Sequence, residues 1–208
     1  MIVPNTNLTL SRGTLHLSPR GSQSGMFMPV NEFFHSLAID QESFAIGIVL
    51  SGTASDGAMG IRTINKAGGI NFAQSIESAS QDGMPRSAID TGAVDFVLDP
   101  LGIAEELMRI GKNPSLIPER KSETDPRHLR EDKVLENIFL VLRNQDGVDF
   151  SHYRQNTVVR RITRRMILHK FNSLDEYSGF LNDHPEEIAS RDIPMVMVIP
   201  STSHSFTD

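Results

Sequence analysis

The sequence predicts an α/β fold, an incomplete doubly wound parallel sheet, followed by a small all-α domain. Three observations predict it. The first is Phe44 to Gln74, which reads as an apolar run, a small-residue turn, a helix-like stretch, Gly68-Gly69 and a second apolar run. That order is the βαβ unit of a parallel sheet. The second is Lys112 to Lys133, a stretch poor in apolar residues that carries Pro114, Pro118 and Pro126 and reads as a linker. The third is that, from Glu131 onward, apolar residues recur at helical rather than alternating spacing. The domains follow: residues 1–110 α/β, 111–132 linker, 133–190 helical, and 191–208 an aberrant tail.

In chain order, Leu8, Leu10, Leu15 and Leu17 alternate with polar residues around Arg12-Gly13, a β-hairpin signal. Asn31 to Ile39 sets Phe33, Phe34, Leu37 and Ala38 at helical spacing, with Asn31 as the expected N-cap. Phe44 to Leu50 is the first strand of the sheet, Ala58 to Ala67 its helix, and Ile70 to Ala73 the second strand. Pro85 is expected at the first position of a short helix over Arg86 to Asp90, and Ala93 to Leu98 as the last strand. Pro100 to Ile110 places Ile103, Leu107 and Ile110 on one helical face. In the second domain, Val134 to Leu142, Phe150 to His169 and Ser173 to Leu181 read as helices. Asp146-Gly147 breaks the first, and Ser173 with Glu176 makes a capping box on the third.

Composition narrows the chemistry. The 208 residues carry a formal net charge of −6, which argues against non-specific nucleic-acid binding by the whole chain. There is no cysteine, so disulfides, thiolate metal sites and a cysteine nucleophile are excluded. The seven histidines never pair at metal-ligand spacing. No signal-like N-terminus and no membrane-spanning apolar run occur, so a cytoplasmic protein without membrane insertion is expected.

The loop Ser51-Gly52-Thr53-Ala54-Ser55-Asp56-Gly57 falls at the carboxyl end of a strand, where open α/β sheets place their chemistry. An acid there is either a first-turn helix acid favoured by the macrodipole or a working carboxylate. A phosphate-binding reading of the same loop is weaker, because the loop lacks a P-loop lysine. Arg160, Arg161, Arg164 and Arg165 span roughly a 140° arc of a helix. Val158, Val159, Ile162 and Met166 lie opposite, and no acid occurs between Ser151 and Lys170. This is either a solvated basic face or a docking face for carboxylates. With no aromatic platform, nucleic acid is a poor fit.

Four stretches in order, VPNTNLTL, NEFFHSLA, GIVLSGTASDGAMG and FAQ…ES…DGMPRSAIDTGAVDFVL, resemble the C-terminal half of the CheB-type methylesterase domain of bacterial chemotaxis. The stretch VLENIFLVLRNQDGVDFSHYRQNTVVRRITRRMILHKFNSLDEYSGFL resembles the N-terminal helical domain of CheR-type methyltransferases. Together they look like the hybrid CheB/CheR proteins. The resemblance implies hydrolysis of glutamate methyl esters on methyl-accepting chemoreceptors or similar signalling proteins by a Ser-His-Asp triad, with Asp56 as the aspartate. It implies Arg160, Arg161, Arg164 and Arg165 as the receptor-binding face. It also implies S-adenosylmethionine as the cofactor of a complete methyltransferase, though none is expected in this chain. Asn31 departs from the aspartate expected in NEFFHSLA, and Thr53 stands near the place of an expected methionine.

The family's nucleophile and histidine precede the matched part. Gly21-Ser22-Gln23-Ser24-Gly25 only mimics a Gly-x-Ser-x-Gly turn, with no strand feeding it. The tail RDIPMVMVIPSTSHSFTD lacks the threonine-aromatic-aromatic-arginine motif of the methyltransferases. The expectation is a broken hybrid, truncated at the front and shifted in frame near Arg191, inactive alone. The alternative is a non-catalytic adaptor that binds acidic receptor helices.

Overall fold

The computed structural model describes residues 5–20, 27–113, 133–141 and 155–184. Gly21 to Gly25, most of the expected linker, Phe150 to Arg154 and the 191–208 tail lie outside the described residues. The chain divides into two compact units: Met1–Ser122 with Ile162–Asn172, and Glu123–Arg161 with Ser173–Asp208. Residues 162–172, expected in the helical domain, therefore belong to the first unit.

The first unit begins with a hairpin, β1 (Thr6–Ser11) against β2 (Thr14–Pro19), in which Leu8 faces Leu17 and Leu10 faces Leu15. The two-residue turn has φ of +51° at Arg12 and +70° at Gly13. Positive values at both central positions are the turn geometry that matches strand twist. The hairpin is tied to α1 (Pro29–Gln41) by two bonds: Leu10 N–H donates to Ser36 Oγ at 2.9 Å and Gly13 N–H to Asp40 Oδ2 at 3.0 Å.

A parallel sheet follows, in the order β3 (Ile46–Val49), β4 (Ile70–Gln74), β5 (Phe96–Leu98). The connections are α2 (Ala58–Lys66) between β3 and β4, and α3 (Gly83–Ile89) between β4 and β5, while α4 (Pro100–Lys112) follows β5. Every residue of β4 is buried, as expected of a central parallel strand. Phe72 and Phe96, paired in register, stack with centroids 5.0 Å apart. The core is Phe34 and Ala38 of α1, Ile61 and Ile64 of α2, with Ala45, Val49, Ala88 and Ala93. Gly60 lets α1 and α2 approach, since a Cβ there would lie 2.5 Å from Phe34 Cβ.

Three local expectations are corrected. Asn31 is not the N-cap of its own helix: α1 starts two residues earlier and its N-cap, Met28, makes no side-chain bond. Pro85 is the third residue of α3, because Arg86 N–H already bonds to Asp82 carbonyl and closes the turn. A proline there forfeits only an N–H that has no intrahelical partner. The last strand is shorter than Ala93 to Leu98: the Ala93 carbonyl is taken by a side chain, and the pairing with β4 opens at the Asp95 N–H. Asn71 Nδ2 donates to the Ala93 carbonyl at 2.9 Å, and Asp95 N–H donates to the Asn71 carbonyl at 2.9 Å.

Helical segments run over 133–141 (α5), Gln155–Leu168 (α6) and Leu174–Asp183 (α7). The expected cap on α7 is present: Ser173 Oγ accepts from Glu176 N–H at 3.2 Å. Val134, Ile138, Tyr177 and Leu181 are buried, the apolar stripe that the helical spacing required.

Candidate functional site

The loop after β3 is built from two crossed helix caps. The first turn of a helix leaves backbone N–H groups without partners, and a side-chain oxygen at the N-cap ordinarily accepts from the second or third of them. In α1 those donors are Val30 and Asn31. Both bond to Asp56, Val30 N–H to Oδ2 and Asn31 N–H to Oδ1, each at 3.0 Å. Asp56 comes from the loop that leads into the other helix, α2. The return bonds come from Asn31, whose Oδ1 accepts from Gly57 N–H at 3.1 Å and Gly60 N–H at 2.8 Å at the start of α2. Each helix is thus capped by the residue at the start of its neighbour. Gly57 has φ +98°, and a Cβ there would also lie 3.1 Å from Val30 Cγ1. A glycine is therefore needed for both the turn and the close approach.

The result is a half-buried carboxylate pinned through both oxygens at the carboxyl end of β3. The expectation of a first-turn acid on its own helix gives way to one that caps a neighbouring helix. Around it, a second loop closes over the strand ends. Ser51 N–H donates to Gln74 Oε1 at 2.8 Å, and Gln74 Nε2 donates to the Ser78 carbonyl at 2.9 Å. Gln81 N–H donates to Ser51 Oγ at 3.0 Å, and Met84 N–H to the Gly52 carbonyl at 2.8 Å. Any Cβ at Gly52 would collide with Met84 Sδ, so the methionine packs on the loop, consistent with a turn residue beside the site. Ala54 holds φ +66° without being glycine.

The four arginines do not share one outward face. Arg160 and Arg161 are half-buried, whereas Arg164 is 8% and Arg165 0% exposed. Arg164 Nη2 pairs with Asp95 Oδ1 at 2.6 Å, and Nη1 donates to the Gly69 carbonyl. The expected stripe fails at these two buried positions, and at Arg164 the reason is that a long guanidinium reaches an internal carboxylate, something helical periodicity does not encode. Burial pushes the Asp95 carboxyl above its usual range, against the opposing pull of the Arg164 charge and a bond from Asn71 N–H. Among the described residues no group of three or more His, Asp or Glu could hold a metal.

Comparison with known proteins resolves the family. Residues 1–107 match the model of the CheB methylesterase. The chain belongs to the CheB methylesterase family. Downstream, residues 133–190 match the all-alpha domain of the CheR methyltransferase, so this CheB-type unit is followed by a CheR-type one. An uncharacterized 104.1 kDa protein of the hypE 3′ region in Rhodobacter capsulatus is 35% identical over 98% of this chain and 23% of its own length. The protein-glutamate methylesterase/protein-glutamine glutaminase of group 3 operon of Rhizobium meliloti (strain 1021) is 35% identical over 55% of this chain and 37% of its own. The chain thus spans about a quarter to two fifths of the length of these relatives. The crystal structure of the Thermotoga maritima CheB methylesterase catalytic domain is similar at TM-score 0.45 and 26% identity, over 51% of this chain and 57% of that one.

The structure also brings forward residues that sequence reasoning passed over. Asn31, expected as a cap for its own helix, has its partners 26 and 29 positions away. Asp95 and Asn71 stood inside apolar strand patterns, and a lone acid in such a run was the available signal.

Proposed function

We propose that the chain belongs to a protein that modifies chemoreceptors, with Asp56 as the aspartate of a methylesterase triad acting on glutamate methyl esters. The observation that supports this most is the pinning of the Asp56 carboxylate by two backbone donors at the carboxyl end of β3. A triad aspartate must hold its histidine in one tautomer and orientation, which requires that the carboxylate itself not rotate. The side of each oxygen not used by Val30 and Asn31 is where an imidazole N–H would bond. Asn31, by fixing Gly57 and Gly60, positions the loop that carries the acid.

The 208 residues contain no Gly-x-Ser-x-Gly turn to supply the nucleophile. Losing a triad nucleophile costs on the order of 10⁶ in turnover. The chain by itself is therefore expected not to release methanol from a methylated receptor. A polypeptide that joins this segment to the family's upstream serine and histidine is expected to do so. Equal release from both would overturn the assignment of Asp56 to a shared triad.

A second reading is favoured by the half-buried Arg160 and Arg161 on α6. In it, these residues dock acidic receptor helices without chemistry, and charge reversal of both should abolish binding to a glutamate-rich helical peptide. S-adenosylmethionine would serve only as the methyl donor of a complete methyltransferase. A cytoplasmic location fits both readings, and no helix among the described residues is long and apolar enough to cross a membrane.

A further inference from the structure

Residues 162–172 are held in the first unit by two anchors of different chemistry. At one, Arg164 reaches the residues that precede β4 and β5: its two terminal nitrogens bond to the Gly69 carbonyl and to Asp95. At the other, Arg109 of α4 is oriented by Glu106 at 2.9 Å through Nε and donates to the Ile167 carbonyl at 2.9 Å, while Asn113 Nδ2 donates to the Asn172 carbonyl at 2.8 Å. The second anchor would hold any residue in the Arg164 position. The first is specific: a carboxylate, itself oriented by Asn71 N–H at 2.8 Å, meets a guanidinium with both side chains below a tenth exposed.

We propose that Asp95 and the Gly69 carbonyl form a built-in guanidinium site that withholds Arg164 from an acidic receptor helix, which competes with Asp95 for it. This rests on the arginine-docking reading given above. The chemistry of the two partners is the same, a carboxylate accepting from a planar fork of donors. Breaking a buried pair by removing one partner leaves the other charge uncompensated. Exchange of one carboxylate for another spares Arg164 that penalty, and Asp95 keeps the bond from Asn71 N–H, so a receptor glutamate is a fitting competitor. A protein whose binding-competent form is populated a fraction of the time loses apparent affinity by that fraction.

The test uses the whole 208-residue chain and a labelled glutamate-rich helical peptide, read by fluorescence anisotropy. Asp95→Asn, which keeps an acceptor for Asn71 N–H, should bind about tenfold tighter if the closed form holds roughly nine tenths of the population. Adding Arg164→Gln to that variant should remove the gain. An unchanged affinity in Asp95→Asn, or a gain that persists in the double variant, overturns the proposal. Should Asp95→Asn fail to fold, Arg164→Lys keeps the charge but loses the forked contact, and it too should bind tighter than the parent. Binding by no variant overturns the competition, and amide exchange then separates the two failures. Exchange over residues 162–172 that quickens about tenfold in Asp95→Asn supports Asp95 as the holder and puts the fault in the docking reading. Unchanged exchange overturns the guanidinium site itself.

Discussion

The two ends of the parallel sheet use a carboxylate in opposite ways. At the carboxyl end, Asp56 is half-buried and accepts from two backbone amides of α1. At the amino end, the Asp95 side chain is 9% exposed and faces a guanidinium. Backbone donors are neutral, fixed by a helix and cannot leave, so Asp56 is immobilised at little electrostatic cost. A charged partner on a long side chain must be held in place and desolvated, so Asp95 and Arg164 depend on each other. The first arrangement suits a group that must orient something else. The second suits a contact that can be exchanged.

Substitutions at the two ends should separate these designs. The largest effect is expected at the amino end, where Arg164→Ala strands a buried carboxylate and should cost about 3 kcal/mol in a denaturant titration. A loss below about 1 kcal/mol, the size of an exposed pair, would place the Arg164–Asp95 contact in solvent and break the contrast. Next, Asp56→Ala removes both bonds to the start of α1 and should cost about 1–2 kcal/mol, whereas Asp56→Asn, which keeps one of the two acceptors, should cost about half of that. Asn31→Ala should follow at about 1 kcal/mol through loss of the cap on α2, with Asn31→Asp close to neutral. Smallest, Ala54→Gly relieves a left-handed backbone and should leave stability unchanged or raise it by up to about 1 kcal/mol.

Acid titration sharpens the same comparison. Asp95 has its pKa raised above the ordinary 3.8, mainly by burial. The folded state then holds this proton more tightly than the unfolded chain does. Its contribution to stability is fullest below 3.8 and falls as pH rises through the window up to the raised value. Asp40 has the opposite sign: bonds from the Gln41 side chain and Gly13 N–H lower it, so its contribution is present above 3.8 and is lost as pH falls through the lowered value. The Gly13 amide resonance should therefore titrate below 3.8, and Asp40→Asn should abolish that titration while leaving the Asp95 slope intact.

What could be read from sequence followed what is local. The strand-helix-strand order around Asp56 was legible because Gly68-Gly69 and the two apolar runs punctuate it, and Ser173 announced its helix through a cap three residues long. The crossed caps were not, because Asn31 and Asp56 satisfy donors on each other's helices, and side-chain capping rules consider only one helix at a time. The arginine stripe was overread for a related reason. Amphipathic arithmetic counts every charge as outward, and it has no term for a carboxylate such as Asp95 waiting inside. The shortened β5 belongs to the same blind spot, since the Ala93 carbonyl is held by the Asn71 side chain.

The central claim is that Asp56 orients a histidine rather than merely capping α1. It is tested most directly by the turnover of receptor glutamate methyl ester in a polypeptide that carries this segment together with the family's upstream serine and histidine. Of Asp56→Asn and Asn31→Ala, Asp56→Asn should lower kcat by about 10⁴, far beyond what its modest loss of stability explains. Asn31→Ala, the more destabilised of the two, should retain most of the turnover. Turnover in Asp56→Asn that merely tracks its stability would contradict the claim and leave Asp56 as a helix cap.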